Sequence, residues 1–170
     1  MKITQLLNRQ AEYNAWINAK LYAVCDSIPD DDRKKDLGAF FKSIHGTLNH
    51  NLLGDRLWLG RFRNDPFKVN SLAQELYSDF DQLRAEREIT DKEISDWVAS
   101  LIDQDLDSTL AFTAVSTGEN LIFNTGDAIV GFFYHQVHHR GQLTALISHL
   151  GQDYGATDLI WMPGVALTSQ

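Results

Sequence analysis

Four stretches of this sequence carry apolar residues at steps of three and four, the spacing that lays one stripe along an α-helix. The first runs from Ile3 to Ile28 through Leu6, Leu7, Tyr13, Ile17, Leu21 and Val24, and Pro29 ends it. The second spans about Leu37 to Phe62 and is closed by Asn64-Asp65-Pro66. Ser71 with Gln74 three residues on has the pattern of a capping box, so a third helix is expected from Ser71. It carries Leu72, Leu76, Phe80 and Leu83 and continues brokenly through Ile94, Trp97 and Leu101. The last covers Asp127 to Leu150, with Gly151 placed to cap it.

Before that last helix the period shortens. Leu110, Phe112 and Ala114 alternate with polar or small residues, and Ser116-Thr117-Gly118-Glu119-Asn120 then precedes Leu121-Ile122-Phe123. This predicts a small β-hairpin. The expected fold is therefore all-α, four long helices with a small hairpin before the last one. With no repeat or linker in 170 residues, one domain over residues 1–170 is expected. The tail through Trp161-Met162-Pro163 should fold back over apolar surface.

The second helix is apolar on two sides. Phe41, Ile44, Leu48, Leu52 and Leu59 share one, while Leu53 and Leu57 flank His50 on nearly the opposite one. One side fits a bundle core. The other needs the hairpin and loops of the same chain or a second subunit, and a homodimer paired through helix two or helix one is the expectation.

A formal charge of −8 without a basic stripe argues against nucleic acid as a partner. The mixed-sign run Asp30 to Asp36 reads as a solvated loop. No apolar run reaches the ~20 residues of a membrane span, so no membrane association is expected. Cys25 is the only cysteine, which fits a reducing, cytoplasmic location, and it is expected to be a buried apolar residue.

The six histidines are not equivalent. His135 and His139 stand four apart on one helix face, close enough to grip one ion, with Phe132, Leu143, Leu146 and Leu150 nearby on the wheel. The spacing matches that of zinc-protease helices, but Gln136 stands where those carry a catalytic Glu, and an amide cannot act as that base. His50 on the second helix is the candidate third ligand, because ligands of a bundle site converge from facing helices. Three imidazoles would leave a position open, the arrangement of a catalytic rather than a closed structural metal. His45 falls on the far side of its helix, His138 points to one side of His135, and His149 sits near the last carbonyls of its helix.

Three segments carry a resemblance. Tyr13-Asn14-Ala15-Trp16-Ile17-Asn18-Ala19-Lys20-Leu21, Ser43-Ile44-His45-Gly46-Thr47-Leu48-Asn49-His50 with Asp55-Arg56-Leu57-Trp58-Leu59, and His135-Gln136-Val137-His138-His139-Arg140-Gly141-Gln142 resemble the DinB (damage-inducible) family. The resemblance implies an antiparallel four-helix bundle with a long crossover. It also implies a divalent metal held by one histidine of helix two and two of helix four, here His50, His135 and His139. Related bundles include transferases and isomerases that use low-molecular-weight thiols, and family members commonly pair.

The leading expectation is a metal-dependent enzyme acting on a small molecule by thiol transfer or hydrolysis, with zinc, nickel or iron as the ion and a low-molecular-weight thiol as possible cosubstrate. The alternative is a non-catalytic metal-binding stress-response bundle or interaction protein. Asp55 is expected to be a buried carboxylate paired with an arginine rather than a catalytic base. Gln142 is placed to reach a water on the ion.

Overall fold

A computed structural model describes residues 2–166. In chain order it contains α1 (Ile3–Asp26), α2 (Asp30–Lys34), α3 (Ile44–Phe62), α4 (Phe80–Ser100), α5 (Asp103–Leu106), β1 (Thr109–Thr113), β2 (Asn120–Asn124) and α6 (Thr125–His149). A short 3-10 turn at Leu159–Trp161 follows.

Two apolar clusters set the helix directions. One joins Ile17, Leu21 and Cys25 late in α1 to Ile44, Leu48 and Leu52 early in α3, Phe80 and Leu83 at the start of α4, and Leu143, Leu146 and Ile147 late in α6. The other joins Leu7 and Ala11 early in α1 to Leu59, Ile94 and Val98 late in α3 and α4, and Ile129, Phe132 and Phe133 early in α6. Hence α1 and α6 run one way and α3 and α4 the other, so the connection 63–79 must cross the length of the bundle. The closest pairs, α1 with α4 and α3 with α6, are antiparallel.

A buried polar layer separates the clusters and draws on all four long helices. It comprises Asn14, Asn18, Asp55, Arg87, Asp91, Gln136 and Arg140. Arg87 Nη1 donates to Asp55 Oδ2 at 2.6 Å and Arg87 Nη2 lies 2.9 Å from Asp91 Oδ1. Asn14 and Asn18 donate to the same Asp91 oxygen at 3.0 and 2.9 Å, and Arg140 donates to Asn14. Two guanidinium groups thus offset two carboxylates that are buried away from bulk solvent. Asp55 is the paired carboxylate that the sequence suggested.

Several boundaries differ from the sequence reading. Helix α4 starts at Phe80, not near Ser71, because Asp79 Oδ1 accepts from the Gln82 amide at 2.8 Å and caps it there. Ser71 and Gln74 belong to the irregular crossover, where the Gln74 side chain accepts from the Asn70 amide instead. The charged run after Pro29 contains the single-turn α2, with acidic residues first and Arg33 and Lys34 last, as the helix dipole favours. Helix α3 begins only at Ile44, where Ser43 Oγ accepts from Gly46 N at 3.0 Å. Phe41 therefore precedes the helix. The α1 stripe is rotated, so that Leu7, Ala11, Asn14, Ile17, Asn18, Leu21, Tyr22 and Cys25 are buried while Ile3 and Leu6 are exposed.

The hairpin pairs Thr109 with Asn124 and Phe112 with Leu121, and it lies against α3, where Phe112 meets the Trp58 ring edge-on at 5.4 Å. Leu53 and Leu57 are buried at 0% and 6% exposure within one chain. The second apolar side of α3 is thus covered without a partner, and the argument for pairing through that helix falls. Exposed apolar residues lie elsewhere, among them Ile3 and Leu6 on α1 and Val130, Tyr134 and Val137 on α6. Gly151 has a φ of +74°, its amide bonds Ser148 O at 2.8 Å, and the next amide bonds Ile147 O at 3.2 Å. That is a complete Schellman stop for α6. The following tail returns across α1, where Tyr13 Oη donates to Thr157 O at 2.7 Å, and it buries Met162 while Trp161 stays exposed. No helix among the described residues is long and apolar enough to cross a membrane.

Candidate metal centre

His50 lies two turns into α3, and its position against the crossover is set by the residue before it. Asn49 Oδ1 accepts from the amides of Leu76 and Tyr77 at 2.8 and 3.0 Å, and its Nδ2 donates to Tyr77 O at 3.0 Å. Fastened there, the crossover brings Leu72 O within 2.9 Å of His50 Nδ1. Opposite, α6 carries His135 and His139 one turn apart on the face turned to α3.

The three rings converge. His139 Nε2 lies 3.1 Å from His50 Nε2 and 3.1 Å from His135 Nε2. One nitrogen from each ring lies within 4.8 Å of the other two, so the cluster could hold a metal ion. A tetrahedral ion with M–N bonds of roughly 2.0–2.1 Å needs its nitrogens about 3.3 Å apart, and the two contacts made by His139 are close to that.

Proton bookkeeping shows what the donor set lacks. A carbonyl only accepts, so His50 Nδ1 carries the ring proton and its Nε2 is bare. His139 Nδ1 meets Gln142 Oε1 at 2.8 Å, and the amide end of Gln142 faces His138 Nε2 at 3.3 Å, which leaves His139 Nε2 bare as well. His135, whose buried Nδ1 has no partner, can donate from Nε2 to His139. Nothing can then serve the contact between His50 and His139, where two lone pairs face each other. An added proton is disfavoured: burial holds His50 below the usual range, and burial together with the neighbouring imidazoles takes His135 down to about 4. Burial also takes His139 down to about 4, against the Gln142 hydrogen bond. A cation that accepts the lone pairs fits this set where a proton does not.

Phe41 covers the site, stacking on the His50 ring at 3.7 Å and 16° and meeting the His139 ring edge-on at 5.5 Å. His50 borders two cavities of different character. One of about 620 Å³ is walled by Lys34, Asp36, Lys42, Glu75 and Phe41, among others. The other, about 280 Å³, runs between α3 and the hairpin and reaches His135.

The other histidines stay out of the cluster. His45 is buried with its Nε2 at 2.9 Å from Tyr77 O, bordering the larger cavity but outside the three-nitrogen cluster, and His138 is exposed beside Gln142. Gln142 orients His139 from behind rather than reaching the open side. His149 is exposed in the last turn of α6 and makes no side-chain hydrogen bond to the carbonyls there among the described residues. Phe41, Leu72 O and Asn49 escaped the sequence reading. Only Asn49, a buried polar residue next to a candidate ligand, carried a side-chain signal.

One glycine is required by the site. A Cβ on Gly54, one turn beyond His50, would lie 2.9 Å from His135 Cε1. Gly54→Ala should displace the ring and weaken metal binding by about 10–100-fold, the range seen when ligand orientation is disturbed. Alanine is otherwise favoured in a helix by up to ~1 kcal/mol, so the fold should survive. Titration against a competing chelator, beside a thermal melt, reads both effects. Unchanged affinity would show that the close approach does not position His135.

A family model described as DinB family matches residues 3–168 of the chain. No curated protein matches it.

Proposed function

The chain belongs to the DinB family, and we propose that it is a metal-dependent enzyme in which His50, His135 and His139 hold one divalent ion beside a small-molecule site. The carrying observation is the facing pair of bare Nε2 atoms on His50 and His139, which buried neutral imidazoles leave without a proton to share. Zinc, nickel and iron all accept imidazole ligands. When bound, such an ion supplies Lewis acidity toward an oxygen or sulfur group in its remaining position.

The chain's own residues favour transfer between two small molecules over simple hydrolysis, because two unlike cavities border His50. A hydrophilic low-molecular-weight thiol suits the cavity lined by Lys34, Lys42, Asp36 and Glu75. An apolar electrophile suits the hairpin cavity. His50 and His139 are held from behind by Leu72 O and Gln142, and Phe41 limits water at the rings. The same reading places the protein in the cytoplasm, which its single, buried Cys25 supports. It also includes homodimer formation, now through the exposed apolar residues of α1 and α6 rather than through α3.

Cobalt-loaded protein tests the open position. Adding 2-mercaptoethanol should shift and intensify the visible bands as sulfur joins the three nitrogens. A spectrum indifferent to thiol and to azide would mean a sealed ion, and the non-catalytic reading would replace this one.

A further inference from the structure

The hairpin cavity has a second chemical feature, at the end away from the imidazoles. Residues 50, 54, 57, 58 and 61 of α3 line it, so it runs along the helix for about three turns from His50 to Arg61. Its walls are Leu57, Trp58, Leu72, Phe112, Leu121 and Phe123, and no carboxylate is among its lining residues. The Arg61 guanidinium sits 3.9 Å from the Phe112 ring centre and 4.8 Å from that of Trp58. It is half-buried, and burial lowers its pKa from the ordinary arginine value; a guanidinium is the side-chain cation that proteins do not deprotonate. Among the described residues it has no ion-pair partner and its side chain makes no hydrogen bond. Arg56, five residues earlier, bonds Glu86, Tyr77 and Thr90, the buried Arg87 pairs with Asp55, and Arg140 hydrogen-bonds Asn14.

An arginine stacked over an aromatic ring, here Phe112 with Trp58 beside it, has one planar face occupied and its N–H edge free. That edge matches a carboxylate, which it can bind by two parallel hydrogen bonds. We propose that the hairpin cavity takes a small organic monoanion with an apolar or aromatic body, its carboxylate on Arg61 and its body directed along the cavity toward the three imidazoles. This rests on the metal-site reading for the chemistry at the far end, but not for recognition of the anion. The cavity volume, about 280 Å³, falls just below the usual range of ligand pockets, roughly 300 to 1,000 Å³. Substrates of one ring and a short chain fit that limit.

The test uses 3-phenylpropanoate and its neutral amide as probes, titrated calorimetrically into full-length protein with and without added zinc, nickel or iron, the metal content of each sample being measured. The acid should bind roughly 10- to 100-fold more tightly than the amide, the size of a charge-assisted hydrogen-bonded pair. Arg61→Met keeps an apolar chain against the Phe112 and Trp58 rings, so the fold and metal content should persist while the preference vanishes. Arg61→Lys, a point charge without the fork, should keep a reduced preference. Equal binding of acid and amide by the wild type overturns the proposal. So does a preference that survives in Arg61→Met, because the carboxylate would then be on the ion. An Arg61-dependent preference in protein that takes up none of zinc, nickel and iron sustains this inference and sinks the metal reading, whereas metal uptake with no preference does the reverse.

Discussion

His135→Ala is expected to purify without metal and to melt at the same temperature with and without a chelator, while the wild type loses thermal stability on chelation. Each of the three imidazoles supplies one nitrogen to a cluster whose members are 3.1 Å apart along the chain of contacts. Loss of a ligand should therefore cost well beyond the roughly 10–100-fold that loss of an outer partner costs. His50→Ala and His139→Ala should behave alike, and His45→Ala should keep its metal because its ring turns to Tyr77 O and gives no nitrogen to the cluster. An ion that binds only the folded chain stabilises it by ~4 kcal/mol when free metal is a thousandfold above its dissociation constant. For a chain of this size that is about 8–16 °C in Tm. Elemental analysis and paired melts of the four variants decide the matter. Full metal retention in any of the three would remove that residue from the site.

The elements of the bundle were legible because each long helix repeats its apolar residues over several turns. Their ends were less so. Ser71 with Gln74 and Asp79 with Gln82 both offer a cap followed by a glutamine, and only tertiary position distinguishes them: Phe80 and Leu83 belong to the core while Leu72 lies over the metal site. The three histidines could be read together because helical geometry fixes the i,i+4 pair and because one side of α3 holds His50. What surrounds them could not. Leu72 contributes a carbonyl, which has no residue signature, and Phe41 falls on the core face only if α3 is extended back past the Ser43 cap that begins it. The polar layer announced itself weakly. Asn14 and Asn18 fall on the stripe of Leu7, Ala11, Leu21 and Cys25, where apolar residues are the rule, but their partner Asp91 lies more than seventy residues away in sequence.

That layer makes the second large effect predictable, and it falls on stability rather than on the metal. Arg87→Met should cost about 3–5 kcal/mol, because the methionine fills the space but leaves Asp55 and Asp91 without their shared cation. The loss corresponds to a fall in Tm of about 6–20 °C. Arg140 remains nearby but is already committed to Asn14 and Gln136. The penalty should depend on pH. In the wild type, burial pushes the Asp55 carboxyl up to about 7 against the pull of Arg87, and removing the guanidinium takes away that opposing pull. A carboxyl whose folded value lies above the unfolded value of ~3.9 favours folding in its protonated form. Its contribution is present at low pH and is lost as pH rises toward and past 7. The deficit of Arg87→Met should therefore be largest near and above pH 7 and shrink toward pH 4. Folded variant should still bind metal, since no residue of the layer is among the histidines or their hydrogen-bond partners. Melts across that pH range, with metal content measured at the neutral end, give the result. A variant that melts within a degree or two of the wild type at pH 7.5 would mean that the ion pairs hold the helices no better than a methionine does.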